Sequence, residues 1–253
     1  MSRRSLWPRE HGAYFQLAIP LLTACVLCGP SVPVVALALA SCLAFLANEP
    51  LLVVLGHRGP RMLESDGERA RWRLALLATG AVGLGVAGLV RAPTPTMLAA
   101  AIIAAPVCAL LGFAWRRAEH TIAGELVAAI ALTGASLPVS VAGGLALERA
   151  LAIWLAWSVG FGATVVAVHR VIARHKRDAA PIDRVLALGL IAAVLAILRG
   201  AATYAPLAIA APLTALAALL VVAPPSASRL RVIGGATVAV ALTSGAIAVL
   251  GLP

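Results

Sequence analysis

The sequence predicts an all-α polytopic membrane protein of about nine transmembrane helices, with the N-terminus inside and the C-terminus outside. Three observations carry this expectation. Of 253 residues, 62% are hydrophobic and 12% are charged, against about 25% charged in a soluble domain, and the mean hydropathy is +0.99. Nine apolar runs each come near the ~20 residues that a helix needs to cross the hydrocarbon. With the N-terminus inside, 17 of the 20 basic residues fall on inner segments; only Arg91, Arg149 and Arg199 fall outside. Such a bias in strict alternation fixes the number of spans as well as their direction.

In order, the expected spans are residues 13–29, 32–55, 74–90, 96–115, 121–143, 148–169, 185–204, 206–223 and 231–251. They leave no room for a soluble domain, so residues 1–253 read as a single membrane domain. Gly29-Pro30 closes the first span, and Asn48-Glu49-Pro50 interrupts the second. The residue before a proline is pushed away from helical geometry, so Glu49 is expected at a helix break. Two hydrophilic segments, 57–73 and 170–184, read as long basic loops after the second and sixth spans. Gly80, Gly83, Gly85 and Gly88 in the third span and Gly160 and Gly162 in the sixth suit close helix approach in lipid. Trp7, Trp72 and Trp115 fall at inner boundaries, where an aromatic belt belongs.

Several signals read blandly. Ser2-Arg3-Arg4-Ser5-Leu6 has the look of a twin-arginine signal and Leu22-Thr23-Ala24-Cys25 that of a lipoprotein cleavage site. More membrane helix follows, however, so the segment reads as a retained first span. Cys25 and Cys28 share a helix face, and they read as small buried apolar residues rather than as a redox pair. The net charge of +10 is topological charge facing anionic lipid, with no nucleic-acid motif beside it. Arginine dominates over the single Lys176, and with the abundant alanine this points to a bacterial genome rich in G and C. The expected location is the bacterial cytoplasmic (inner) membrane.

The chemistry-bearing residues are ionisable or polar groups inside or at the mouth of spans. Glu10 and His11 enter the first span, Asn48 and Glu49 lie near the end of the second, Glu125 sits one turn into the fifth, and His169 and Arg170 leave the sixth. An ion at membrane depth costs about 2.5–3.5 kcal/mol at a helix centre and less near the interface. Four such stretches at one depth point to a shared polar pocket facing the cytoplasm, with Arg170 and a protonated His11 offsetting Glu49 and Glu125. No metal ligand set and no cofactor are expected.

The opening stretch Pro8-Arg9-Glu10-His11-Gly12-Ala13-Tyr14, with Pro20 one helix length on, resembles the first motif of the YwiC-like family of bacterial integral membrane proteins. Nine helices with polar segments after the second and sixth are similar to the architecture of the UbiA-type prenyltransferase superfamily. That second resemblance implies acidic motifs that hold magnesium on an isoprenoid diphosphate. Asn48-Glu49 stands where such a motif would open, but Leu52 and Gly56 replace its further acids. The second segment begins with the basic run His169-Arg170, and its Asp178 and Asp183 lie well down it. A basic pocket could take a phosphate or carboxylate directly through arginine. The leading expectation is therefore a protein that handles a lipid or isoprenoid-like anionic ligand. The alternatives are a small-molecule or ion permease using Thr133, Ser136, Ser140, Ser158, Thr164 and Thr243, a divergent prenyltransferase, and a haem or metal carrier. No nucleophile–base constellation is legible, so whether the protein is an enzyme stays open.

Overall fold

The computed structural model describes residues 6–8, 11–176, 181–226 and 230–251. They form α1 (His11–Cys28), α2 (Val32–Val54), α3 (Pro60–Arg91), α4 (Pro95–Trp115), α5 (Ile122–Gly134), α6 (Ser136–Ala142), α7 (Leu147–Lys176), α8 (Pro181–Ala201), a 3-10 turn (Ala205–Ile209), α9 (Ala210–Val222) and α10 (Leu230–Gly251). No strand occurs among the described residues. Seven helical segments are long and apolar enough to cross a membrane, and Gly12–Cys28 and Val185–Ala201 are shorter apolar helices. The fold is that of an all-α multi-pass membrane protein.

Local chemistry explains where the helices start and bend. Ser31 caps α2, its hydroxyl accepting the Val34 amide, and Thr121 caps α5 by accepting the Gly124 amide. Pro138 lacks the N–H that the Gly134 carbonyl would use, and the fifth span divides there into α5 and α6. Neighbouring groups re-satisfy the backbone, as lipid demands. Ser136 donates to the Thr133 carbonyl at 2.7 Å, and the Trp154 indole donates to the Ile130 carbonyl at 3.1 Å. In the same way, the eighth span opens as a 3-10 turn before Pro212 and continues as α9.

Three sequence expectations are corrected. The chain does not break at Glu49: α2 runs unbroken from Val32 to Val54 with Pro50 inside it. One lost backbone hydrogen bond is tolerable in a membrane helix, and both Glu49 and Pro50 are buried where packing holds the helical geometry. Segment 57–73 is mostly not a loop, because α3 begins at Pro60. Its residues are largely good helix formers, and Met62, Asp66 and Ala70 bury one face at i, i+4 spacing. Segment 170–184 is likewise helical as far as Lys176 in α7.

The core sits around α7. Trp157 and Phe161 are stacked at 5.8 Å between ring centroids, and they pack with Ile19, Ala129, Ile209, Leu213, Ala241 and Ala248 from α1, α5, the 3-10 turn, α9 and α10. In contrast, α3 packs chiefly on α2, and Leu76, Val82, Val86 and Val90 on its outer face are exposed. Glycine makes the closest approaches. A Cβ at Gly80 or Gly88 would stand 2.9 Å or less from Leu43 or Leu37 on α2, and one at Gly160 would stand 3.0 Å from Leu213. Gly83 meets nothing within 4 Å.

The polar junctions gather at one end of the bundle. Leu6 packs with Val53, Met62 and Ala70, which joins the N-terminal segment to the α2–α3 junction. His57 of that junction faces Glu119 of the α4–α5 junction. Glu125 of α5 contacts His169 of α7, and Arg170 and Arg174 of α7 adjoin Val221 and Pro224 at the end of α9. At the opposite end, Cys28 and Gly143 are in close contact.

Two outcomes test this arrangement. A reporter active only in the cytoplasm should be active at the N-terminus and silent at the C-terminus; the reverse pattern, or the same signal at both ends, would refute the orientation. Gly143→Ala would drive a methyl into Cys28, and it should destabilise the protein by about 1–3 kcal/mol. Gly83→Ala, in open space, should leave the melting temperature in detergent unchanged or slightly raised.

Candidate functional site

The polar end is built from ion pairs at the helix mouths. Glu49, on the last turns of α2, is 1% exposed. Its carboxylate takes a two-pronged bond from Arg58: Nε donates to Oε1 at 2.9 Å, and Nη2 donates to Oε2. Arg58 lies nine residues on because Gly56, at φ +75°, and Gly59, at φ +90°, turn the chain between α2 and α3. These left-handed values suit glycine. A fork of this kind is the strongest form of arginine–carboxylate contact, and it explains how a carboxylate can be buried at membrane depth.

The opening motif lies over the same end. The Tyr14 hydroxyl donates to the Pro8 carbonyl at 3.1 Å, and its ring meets Phe45, one turn before Glu49, edge-on at 4.9 Å. Tyr14 is also within electrostatic reach of Arg73 and Glu49. The Arg73 guanidinium stands 5.0 Å from the centre of the Trp7 ring. Residues 6–8 thus bind α1 to the α2–α3 hairpin through Leu6, Trp7 and the Pro8 carbonyl.

A second pair is more open. Glu125 Oε2 and His169 Nε2 are 2.8 Å apart and join the first turn of α5 to α7, with side-chain exposures of 40% and 24%. Arg170 follows directly and lines a small, half-open crevice with Val171, Arg174, Leu220, Val221 and Pro224. A third contact, His57 Nδ1 to Glu119 Oε1 at 3.9 Å, is too long for a hydrogen bond. It does bring the α2–α3 and α4–α5 turns together. Arg117 in the latter turn has φ 55°, a costly conformation for a residue other than glycine.

The seven residues singled out in the sequence fare differently. Glu125 and His169 are brought into contact, and Arg170 follows His169 on α7. Glu49 is engaged by Arg58, and Asn48 is half-buried beside it. Glu10 and the His11 side chain lie outside the described residues. The counter-charges expected for Glu49 and Glu125 were Arg170 and His11; the contacts observed are with Arg58 and His169. Arg58 read as a topology charge because it falls in a hydrophilic segment. The glycines on either side of it were the only local hint that the chain could fold it back onto α2. Asp66, 8% exposed and bonded to Arg69 at 3.0 Å, was hidden by the loop reading of segment 57–73. Among the described residues, no group of three or more His, Cys, Asp or Glu is placed to hold a metal ion.

The Glu49–Arg58 pair yields a direct test. Arg58→Ala leaves a buried carboxylate without this partner and should cost about 3–5 kcal/mol, whereas the double replacement Glu49→Leu/Arg58→Met should be close to neutral. Melting temperatures of the purified variants in detergent measure both. Equal losses for the single and double variants would show that the pair is not the unit of stability.

No curated protein and no solved structure matches the chain. The model of the family described as YwiC-like protein matches residues 7–141, from the opening motif through α6 to Val141. With more than half of its length matched, the chain belongs to the YwiC-like family.

Proposed function

We propose that this multi-pass protein lies in the bacterial cytoplasmic membrane as a single membrane domain, with its basic end inward. There it holds a lipid or isoprenoid-like anionic ligand, with Glu10, His11, Asn48, Glu49, Glu125, His169 and Arg170 around the site. The observation that carries the reading is the Glu125–His169 pair. It sits near the ends of two spans, yet it remains part-exposed, and Arg170 follows His169 on α7. A purely structural pair at that depth gains from closure, as Glu49 and Arg58 illustrate. An open pair beside an arginine offers hydrogen bonds and positive potential to an anion whose apolar tail stays in lipid.

A permease is the second reading, favoured by one observation. The kinked fifth span buries Thr133, Ser136 and Ser140, and Thr133 is bonded to Ser158 of α7 at 3.0 Å. Discontinuous helices with polar lining are a recurrent feature of transporter sites. The hydroxyls of Thr133, Ser136 and Ser158, however, are spent on one another and on helix carbonyls, which suits packing as well as passage. No comparable observation favours a divergent prenyltransferase.

Mass spectrometry of lipids and small molecules retained by the purified protein tests the proposal. An anionic amphiphile should co-purify, and Glu125→Gln should lower its amount several-fold while the protein still inserts. Retention of zwitterionic lipid alone, or of a water-soluble solute in its place, would overturn the lipid reading.

A further inference from the structure

Among the described residues, five buried side-chain polar atoms have no hydrogen-bond partner. Three belong to Thr96, Trp157 and Ser244, which carry no charge. The other two, His57 Nδ1 and Glu119 Oε2, are on ionisable groups, and these two groups meet. His57 Nδ1 stands 3.9 Å from Glu119 Oε1, with side-chain exposures of 8% and 17%. Leaving buried polar atoms unpaired is costly, so two of them on facing groups call for a cause. Each group is held by its own turn. The His57 amide is bonded to the Leu52 carbonyl at 2.9 Å, between Gly56 and Gly59 with their left-handed values. On the other side Arg117 has φ 55°, the Ala118 amide is bonded to the Phe113 carbonyl at 2.9 Å, and Gly124 lies close against the Ala118 and Glu119 carbonyls. The turns thus set the imidazole and the carboxylate opposite each other, just short of bonding distance.

We infer that His57 and Glu119 form a proton-operated clasp between the α2–α3 turn and the α4–α5 turn. An imidazole whose Nδ1 carries no hydrogen presents a lone pair to the carboxylate, and two acceptors cannot bond. One proton on Nδ1 makes it a donor. It then satisfies Nδ1 and the carboxylate together and closes the contact into a charge-assisted hydrogen bond. Uptake of the proton ties the two turns, and its loss frees them. Histidine is the side chain whose charge changes between about pH 5 and 8, so the clasp answers to pH on the side that the polar end faces. The other charged groups of the adjoining elements leave Glu119 as the partner. Glu49 of α2 is bonded to Arg58, Asp66 of α3 to Arg69, and Glu125 of α5 contacts His169. Arg61, Glu64 and Glu68 of α3 and Arg116, Arg117 and His120 of the α4–α5 turn are exposed. The charged imidazole is the form that gains a partner. Its stabilisation is therefore full at low pH and is lost as the pH rises through the imidazole range. The clasp does not depend on the lipid reading.

A double-mutant cycle at two pH values tests the clasp. The full-length protein in neutral detergent should be melted at about pH 5.5 and about pH 8, either side of the imidazole range, as wild type, His57→Gln, Glu119→Gln and the double variant. At the lower pH the non-additive part of the cycle should be a shift of about 4 °C in melting temperature, as one charge-assisted hydrogen bond in a chain of this size would give. At the higher pH it should fall to near zero. Equal coupling at both pH values would overturn the clasp in favour of a hydrogen bond from the neutral imidazole. Absence of coupling at both would overturn it by separating His57 from Glu119. Should the His57 replacement fail to fold, Glu119→Gln decides alone: it should lose part of the wild type's rise toward low pH, and a profile parallel to that of the wild type refutes the clasp. Amide hydrogen exchange, corrected for its intrinsic pH dependence, gives a readout that a loss of packing would not mimic. Exchange in residues 55–60 and 116–121 should slow together at low pH in the wild type and in neither single variant. The same slowing in Glu119→Gln would also refute the proposal.

Discussion

An ionised carboxylate cannot remain alone in a membrane helix, and the inner architecture of this protein follows from that constraint. Glu49 is 1% exposed. Isolated, it would carry a desolvation cost of several kcal/mol, so the chain must supply a cation at the same depth. It does so by turning through Gly56 and Gly59 and returning Arg58 onto α2. That turn sets where α3 begins, and the two helices then pack along their length with Gly80 and Gly88 of α3 against Leu43 and Leu37 of α2. The N-terminal segment completes the assembly, because Leu6 seats against the same hairpin and Trp7 lies beside Arg73. Electrostatic necessity at one residue thus fixes a turn, a helix start and the docking of the opening motif.

Two ion pairs of the polar end, Glu49–Arg58 and Glu125–His169, differ in burial. Glu49–Arg58 is formed within one hairpin between residues nine apart and is closed to solvent on the carboxylate side. Glu125–His169 joins helices 44 residues apart and stays part-open. An exposed pair contributes little to stability, so stability alone gives little reason to keep an acid and an imidazole at the mouth of two spans. The contrast follows from burial: the closed pair shows how this fold treats a structural charge, and the open one departs from that treatment.

Legibility in the sequence divided along physical lines. Nine apolar runs were visible because hydropathy averages over many residues, and the structure places an apolar helix on each. The gathering of the basic segments at one end was visible too, since alternation of spans requires it. Helices α3 and α7 extend into their polar segments, and hydropathy could not show this because a charged helix and a charged loop have the same mean. The buried stripe of Met62, Asp66 and Ala70 carried that information. The partner of Glu49 was hidden for a different reason. Arg58 is close in sequence but at no helical spacing, and only the two left-handed glycines make the contact possible. Contacts between distant helices, such as Trp154 with the Ile130 carbonyl, depend on which helices adjoin, and one sequence contains almost no signal for that.

The family match ends at Val141, just inside α6, and that boundary falls between the parts of the polar end. The matched segment contains the opening motif, Glu49 with Arg58, His57 with Glu119, and Glu125. His169, Arg170, Arg174 and the end of α9 lie beyond it. The Glu125–His169 contact therefore bridges the matched segment and the rest, and α5 packs on α7 along the length that leads to it. The Glu125 carboxylate thus meets an imidazole that the matched segment does not itself supply.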